Sequence, residues 1–399
     1  MNEKIEWKEK KTSLGNAIII SVVLAIIGII IGANFGNWFS DLAPYFGLKK
    51  RYSSGMDWSS LDEVYNKLAT TYNGEMVTSK MIEGAKKGMV EALGDIYTVY
   101  MDAEESADFY DDLHGNVGSG VGIEMGLRDG YVRVLRTLPD NPARRAGILA
   151  GDIIYKVDGE EVWNLSSDEV AKRVRGEKGS EVTITVVRDG KEKEFTMKRE
   201  TINNVSAYVE YDGKTAIVTI TRFDTDTGTN VQKMAQEFSS KGVNKVILDL
   251  RGNGGGYVSA AQDLLSLWLD DQKILVQKSK HYGDSTTNTA SGKAILKDMK
   301  TIVLVNGTTA SASEIVAGAL QDYKKATIVG EKTYGKGVVQ SLFDNLSGGA
   351  TLKVTTAEWY TPNDRSINET GITPDVEVER TYEDINTMRD PQLDKAKAM

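Results

Sequence analysis

No charged side chain occurs between Lys11 and Asp41, and the centre of that run, Ala17 to Ala33, is almost wholly apolar. With its flanks it reaches the ~20 residues that a helix needs to cross a bilayer. No A-x-A cleavage site closes the run, which continues through Phe35, Trp38 and Phe39; an uncleaved anchor over 14–39 is expected, with the two aromatics at the interface. Lys4, Lys8, Lys10 and Lys11 precede the span, and Lys49, Lys50 and Arg51 follow it. The short leading tail, 1–13, is expected in the cytoplasm and the long body outside, since long domains translocate largely regardless of charge.

After a linker over 40–56 the pattern changes period. Apolar residues fall at helical spacing in Trp58–Tyr72 and Ser79–Leu93 (Met81, Ile82, Ala85, Met89, Ala92, Leu93), and Gly94-Asp95 ends the stretch. From about Asn116 short β runs take over: Val121–Met125, Tyr131–Leu135, Ile153–Val157, Val182–Val187 and Glu194–Lys198. Asp129-Gly130, Asp158-Gly159 and Asp189-Gly190 mark turns between them. Two helical pieces interrupt, Ala143–Ala146 and Ser167–Arg175, the second opened by a capping box of Ser166 and Glu169. From about Ser206 strands and helices alternate: Thr215–Ile220, Asn230–Ser239, Lys245–Leu250, Ala260–Leu269, Thr301–Val305, Ser313–Tyr323 and Ala326–Val329. Alternation of that kind predicts a mostly parallel sheet with helices on its faces.

Composition narrows the chemistry. The chain of 399 residues carries 48 basic and 57 acidic side chains, a net charge of −9, which argues against a nucleic-acid partner. The absence of cysteine removes thiol nucleophiles, zinc–thiolate sites and disulfides. Only His114 and His281 are available to any histidine-dependent mechanism, and neither has a motif around it.

The small β unit holds Gly118-Ser119-Gly120-Val121-Gly122-Ile123 and, further on, Leu149-Ala150-Gly151-Asp152-Ile153-Ile154. It resembles a PDZ domain of the bacterial-protease type. Glycine amides can hold a terminal carboxylate, and the strand edge beside them can add an extended peptide. Gly120, Val121, Gly122 and Ile123 are the expected peptide-binding residues, with the helix from Ser167 as the other wall.

Three segments of the α/β body carry chemistry: Asp249-Leu250-Arg251-Gly252-Asn253-Gly254-Gly255-Gly256, Thr309-Ala310-Ser311-Ala312-Ser313-Glu314 and Gly335-Lys336-Gly337-Val338-Val339-Gln340. Ser311 sits at a strand-to-helix junction, where free amides and the helix dipole favour a developing oxyanion. Its Ser-x-x-Glu spacing equally suits a plain helix cap, and Ser313 could be cap or nucleophile. Lys336 can act as a base if burial lowers its pKa, though locally it reads as an exposed turn lysine. Gln340, four residues on, could orient its amine. Arg251 and Asn253 are expected to hold the glycine turn, and no carboxylate or histidine cluster accompanies Asp249 to bind a metal.

Taken together these segments resemble the carboxyl-terminal processing peptidases, or tail-specific proteases. Tyr97-Thr98-Val99-Tyr100, the PDZ motifs and the closing Gly371-Ile372-Thr373-Pro374-Asp375 share the likeness, which runs from about Trp58 to Lys397. Ile96 and Gly254 stand where that pattern often has proline. The resemblance implies a serine endopeptidase with Ser311 as nucleophile, Lys336 as base, Gln340 as orienter and the amides of Gly256 (or Gly255) and Ala312 for the oxyanion. It implies no cofactor and no metal. Its implied partners are protein substrates with accessible carboxyl-terminal tails; the apolar run implies the membrane, and a second copy or an activating partner is a further expectation. The expected organisation is helical over 57–115, PDZ over 116–200 and peptidase core over 201–399. The rival expectations are a latent PDZ scaffold and an acyl-CoA-type enzyme on the same kind of sheet.

Overall fold

The computed structural model describes residues 58–128, 130–279, 285–344, 346–387 and 389–399. The tail, the expected anchor, the linker and His281 lie outside the described residues. Among those described, no helix is long and apolar enough to cross a membrane. The chain divides into two compact units at Met81/Ile82. In the first, helix Ser59–Thr71 has no buried residue, and Leu61, Val64 and Leu68 are exposed at helical spacing. Helix Thr78–Glu91 follows, within two residues of its expected bounds.

In the second unit the small β body is an antiparallel sheet. Its strands run in the order Ile123–Arg128, Tyr131–Thr137, Ile153–Val157, Glu181–Arg188 and Lys191–Lys198, with Glu160–Glu161 beside the third. Alternation does the work expected of it: Val182, Ile184 and Val186 turn inward, as do Val132 and Val134, around Ile148, Ile154 and Val170. Helix Ser167–Val174 begins where the capping box placed it, with Ser166 N donating to Glu169 Oε2 at 2.9 Å.

The larger α/β body is built on six strands: Ala207–Asp212, Thr215–Ile220, Lys245–Asp249, Lys300–Val305, Ala326–Gly330 and Val376–Glu377, in that order. The first pair is antiparallel and the rest are parallel. These strands read as continuous apolar runs because both faces are covered. Val218, Val246, Leu248, Val303 and Val305 pack under helices Thr227–Phe238, Val258–Leu265 and Ala312–Asp322. Ile217, Ile247, Ile302, Leu304 and Val329 face the other way, against the carboxyl-terminal helix Pro391–Ala398.

A second, antiparallel sheet was not anticipated. Its long strand Thr351–Tyr360 pairs with Val99–Met101, Lys273–Lys278 and Val338–Phe343, and Ser285–Thr289 pairs with Lys273–Lys278. It is this sheet that receives the Lys336 segment, since Val338–Phe343 begins two residues after the lysine.

Where the glycine turn leaves the core sheet it is held by buried ion pairs. Arg251 Nη2 meets Asp249 Oδ2 at 2.6 Å and Nη1 meets Asp390 Oδ1 at 2.8 Å, all three side chains being largely buried. Asp390 also caps the last helix, accepting from Leu393 N at 3.0 Å. Burial works to raise the Asp390 carboxyl, but the hydrogen bond and charge of Arg251 outweigh it and hold it below its usual value. Arg251→Met leaves two carboxylates buried without their cation and should cost about 3–5 kcal/mol, measured as a lowered urea midpoint at neutral pH. The loss should shrink as the pH falls through the depressed Asp390 value, because a protonated Asp390 no longer needs the cation.

Candidate active site

Ser311 is the residue before helix Ala312–Asp322 and has φ 57° and ψ −119°. A serine held at positive φ is strained by roughly 1–3 kcal/mol, as it is at the sharp strand-to-helix elbow of the α/β-hydrolases. What over-determines this backbone is Glu314. Its carboxylate, fully buried, accepts from Ser311 N at 2.8 Å and from Lys336 N at 2.9 Å on one oxygen. The other oxygen accepts from Thr333 Oγ1 at 2.5 Å and Gly335 N at 2.7 Å. One side chain therefore ties the serine turn to the lysine turn, which are 25 residues apart in sequence. Burial pushes the Glu314 carboxyl up, and the four donors pull against that shift.

Ser313 does not compete with Ser311 for the cavity. It is buried, and its hydroxyl donates to the Asn253 carbonyl at 3.0 Å. Asn253 organises the glycine turn, as expected. Its Nδ2 donates to Ile220 O at 2.9 Å, and its Oδ1 accepts from Gly255 N at 2.8 Å. That bond commits the Gly255 amide. The bridge to Phe223 uses Phe223 N with Gly255 O and Tyr257 N with Phe223 O, and so leaves the Gly256 amide out. Ala312 is the first residue of its helix, where an amide has no acceptor within the helix. Close approach explains the glycines. A Cβ on Gly255 would stand 2.8 Å from Ser311 Cβ and 2.9 Å from Ala312 N, and one on Gly256 would stand 2.1 Å from Phe223 O.

A cavity of about 390 Å³ gathers Ser311, Lys336, Gln340 and Gly256 with Lys353, Tyr257 and Trp359. Ala312 is buried behind it. Lys336 is held from the rear: Trp359 Nε1 donates to its carbonyl at 2.9 Å, and its Nζ stands 5.1 Å from the centroid of the Tyr97 ring. Burial depresses its pKa below the ordinary 10.5; the Lys353 charge pushes the same way, and Glu314 and Asp95 pull back. Gln340 lies on the strand Val338–Phe343 beside a register shift, and its amide donates to Thr355 Oγ1 at 3.4 Å. His114 ends the helix Ala103–His114, exposed, with its ring 6.1 Å from Tyr110 and 6.5 Å from Tyr257.

A second cavity, about 660 Å³, is lined by Gly120, Val121, Gly122 and Ile123 on one side and Ser167, Ala171 and Val174 on the other. These are the expected peptide-binding residues and the expected opposite wall. Asp112, Thr221 and Arg222 line both cavities. Arg222 donates to Asp224 at 2.8 Å and to the His114 carbonyl at 3.3 Å. Among the described residues no cluster of three or more acidic or histidine side chains is placed to hold a metal.

Sequence reasoning missed Glu314 as the tie, although the Ser-x-x-Glu spacing was visible. It missed Lys353 and Arg222 altogether. Tyr97 was noticed only as part of a motif.

The fold and this site define a serine-type peptidase that carries a PDZ domain. The chain belongs to peptidase family S41, whose model matches residues 214–378; a PDZ domain model matches 119–198, and the model of the activating protease CtpB N-terminal domain matches 47–105. A protein of Staphylococcus aureus (strain COL), named a probable CtpA-like serine protease, is 33% identical over 96% of this chain and 75% of its own length. A protein of the same name from Staphylococcus epidermidis (strain ATCC 35984) is 34% identical over 92% and 75%. Among solved structures, the photosystem II D1 C-terminal processing protease is 30% identical, with a TM-score of 0.53 over 82% of this chain and 87% of that one.

Glu314→Gln would turn an NH₂ group toward two of its four donors. It should cut peptidase activity on the order of a hundredfold or more, since it loses charge-assisted bonds each worth about 1.5–3 kcal/mol. A rate assay beside a thermal melt would check it. Unchanged activity would mean that the tie is dispensable.

Proposed function

We propose that this chain is a membrane-anchored, carboxyl-terminal processing endopeptidase in which Ser311 is the nucleophile and Lys336 the general base. The observation that carries this reading is the single carboxylate of Glu314, which binds the Ser311 and Lys336 amides while both residues line one cavity. The Ser311 hydroxyl attacks the scissile carbonyl, and neutral Lys336 takes its proton. The amides of Gly256 and Ala312 receive the oxyanion. The lysine then returns the proton to the leaving amine, and water hydrolyses the acyl-enzyme. Gln340 turns from Thr355 to orient the lysine amine when substrate is bound.

The PDZ module, taken as 116–200, receives the carboxyl-terminal tail of a protein substrate and passes the chain to the core, 201–399. Support for tail processing comes from Asp112, Thr221 and Arg222, which line both cavities, and from the activity printed in the name of the D1 processing protease. The segment 14–39 anchors the chain, with the tail 1–13 in the cytoplasm, 40–56 as tether and the helical region 57–115 leading into the body; the substrates are then extracytoplasmic. The span's length and freedom from charge support this arrangement. Assembly with a second copy or an activating partner belongs to the same reading, and no cofactor is required by it.

The full-length protein in detergent, with Ser311→Ala and Lys336→Ala beside it, should be incubated with an unfolded protein ending in an apolar tail and the fragments weighed. Cleavage should be lost in both variants by a factor of at least about 10³. Cleavage by all three would place the nucleophile elsewhere. Absence of cleavage by the unaltered protein would favour the latent scaffold. Activity should rise with pH as Lys336 deprotonates, with a midpoint below the ordinary lysine value because its pKa is lowered. A flat profile from roughly pH 6 to 9 would count against Lys336 as base.

Alkaline carbonate washing tests the anchor separately. The full chain should stay in the membrane pellet, whereas a chain lacking 14–39 should be released.

A further inference from the structure

The catalytic cavity contains a second lysine for which the reaction just described has no use. Lys353 lies on the central strand of the antiparallel sheet, opposite Val99 on one side and Leu342 on the other. Two residues along, on the same face, is Thr355, which pairs in register with Gln340 and accepts its amide. Lys353 and Lys336 line one cavity together. Two features favour a charge on Lys353 itself. Its Nζ stands 5.5 Å from the centroid of the Phe109 ring, and the Asp95 carboxylate partly offsets the burial that holds its pKa below the ordinary 10.5.

We propose that Lys353 is a positioning residue, a second ammonium in the catalytic cavity that keeps Lys336 in the neutral, proton-accepting form. This rests on Lys336 being the base. A like charge in a partly desolvated cavity disfavours a second charge, and a neighbouring cation is an established way to free a lysine amine at moderate pH. The other groups facing Lys336 do not supply that push. Glu314 and Asp95 favour its ammonium, and the Tyr97 ring under its Nζ favours a cation as well. Arg222 lines the same cavity, but its charge is partnered by Asp224, and Asp112 adds a negative charge at the rim. Tyr257 lines the cavity too, and burial pushes its phenol up, so it stays neutral there. Tyr334, bonded to Tyr97 behind the lysine, is likewise not a source of positive charge.

The test compares the pH dependence of kcat for the full-length protein, Lys353→Met and Lys353→Arg on one peptide. Removing the charge should move the rising limb to higher pH by about one unit, so that kcat near pH 7 falls on the order of tenfold and recovers at high pH. Arginine keeps the charge and should keep the limb in place. A role in packing alone would lower kcat evenly at every pH, and a role in holding substrate would raise KM with the limb unmoved; either result overturns the proposal. A direct readout avoids turnover altogether. In a Ser311→Ala background, the rate of reductive methylation of Lys336 against pH, followed by mass spectrometry, should shift upward with Lys353→Met and stay put with Lys353→Arg. If Lys353→Met does not fold, the same measurement on Lys353→Gln replaces it, and an unshifted curve there rejects the idea. Full activity in Lys336→Ala would instead reject the base assignment on which all this stands.

Discussion

The buried carboxylate of Glu314 is the constraint on which the site depends. Ser311 occupies a strained backbone conformation, and Lys336 lies in a glycine-flanked turn that has no regular structure of its own. Neither segment would keep its place by local preference. Glu314 meets both with one oxygen and anchors Thr333 and Gly335 with the other. Removing a carboxylate from water is costly, and only a full set of donors offsets the cost. The same arithmetic makes the arrangement exacting. Any movement of the Lys336 turn strips donors from a charge that cannot reach solvent. Assembly of the site and burial of Glu314 are thus one event.

The second constraint is the glycine turn. Asn253 spends its side chain on Ile220 and Gly255, and its carbonyl receives Ala310 N at 3.0 Å and the Ser313 hydroxyl. The turn and the start of the serine helix are therefore locked to each other from both directions. Gly255 and Gly256 are glycines because backbone atoms of the neighbouring segment fill the place of a side chain. Arg251, on the far side, ties this assembly to the carboxyl-terminal helix through Asp390 and Gln392. A helix some 140 residues away in sequence thereby supports the geometry of the turn.

Much of this was legible beforehand, for reasons that can be named. The PDZ strands showed clean alternation, and the core strands showed unbroken apolar runs between helices. Ser166 and Glu169 announced a helix start through chemistry that is local in sequence. The antiparallel sheet escaped because its strands are half-buried and mixed: Thr351–Tyr360 carries Lys353, Thr355, Thr356 and Glu358 among its apolar residues. Helix Ala103–His114 falls within the region expected to be helical, but its acidic sequence gave it no bounds of its own, although Asp102 caps it and accepts from Glu104 N and Glu105 N. Glu314 was read as a capping acid, which is half of what it does. Its other half depends on a partner 22 residues away, and spacing within one segment carries no sign of that. Lys353 and Arg222 gave no signal at all, since their importance comes only from which cavity they line.

The lysine's chemistry follows from a balance that no single neighbour decides. Burial favours the neutral amine, whereas Glu314, Asp95 and the Tyr97 ring all favour the ammonium. A cavity that must hold a carboxylate to keep its backbone in place has, by that choice, made its lysine harder to deprotonate. Two remedies are open to such a site. One is to turn the carboxylate oxygens onto backbone amides, so that their charge is spent on donors and not on the amine; Glu314 does this with four bonds. The other is to set a cation nearby, and Lys353 lines the same cavity. A chain filling the cavity would add to both, because excluding water strengthens the repulsion between the two lysines and the penalty on the ammonium alike. The neutral fraction of Lys336 therefore rises as water leaves the cavity, so occupancy of the cavity and the protonation state of the amine are linked.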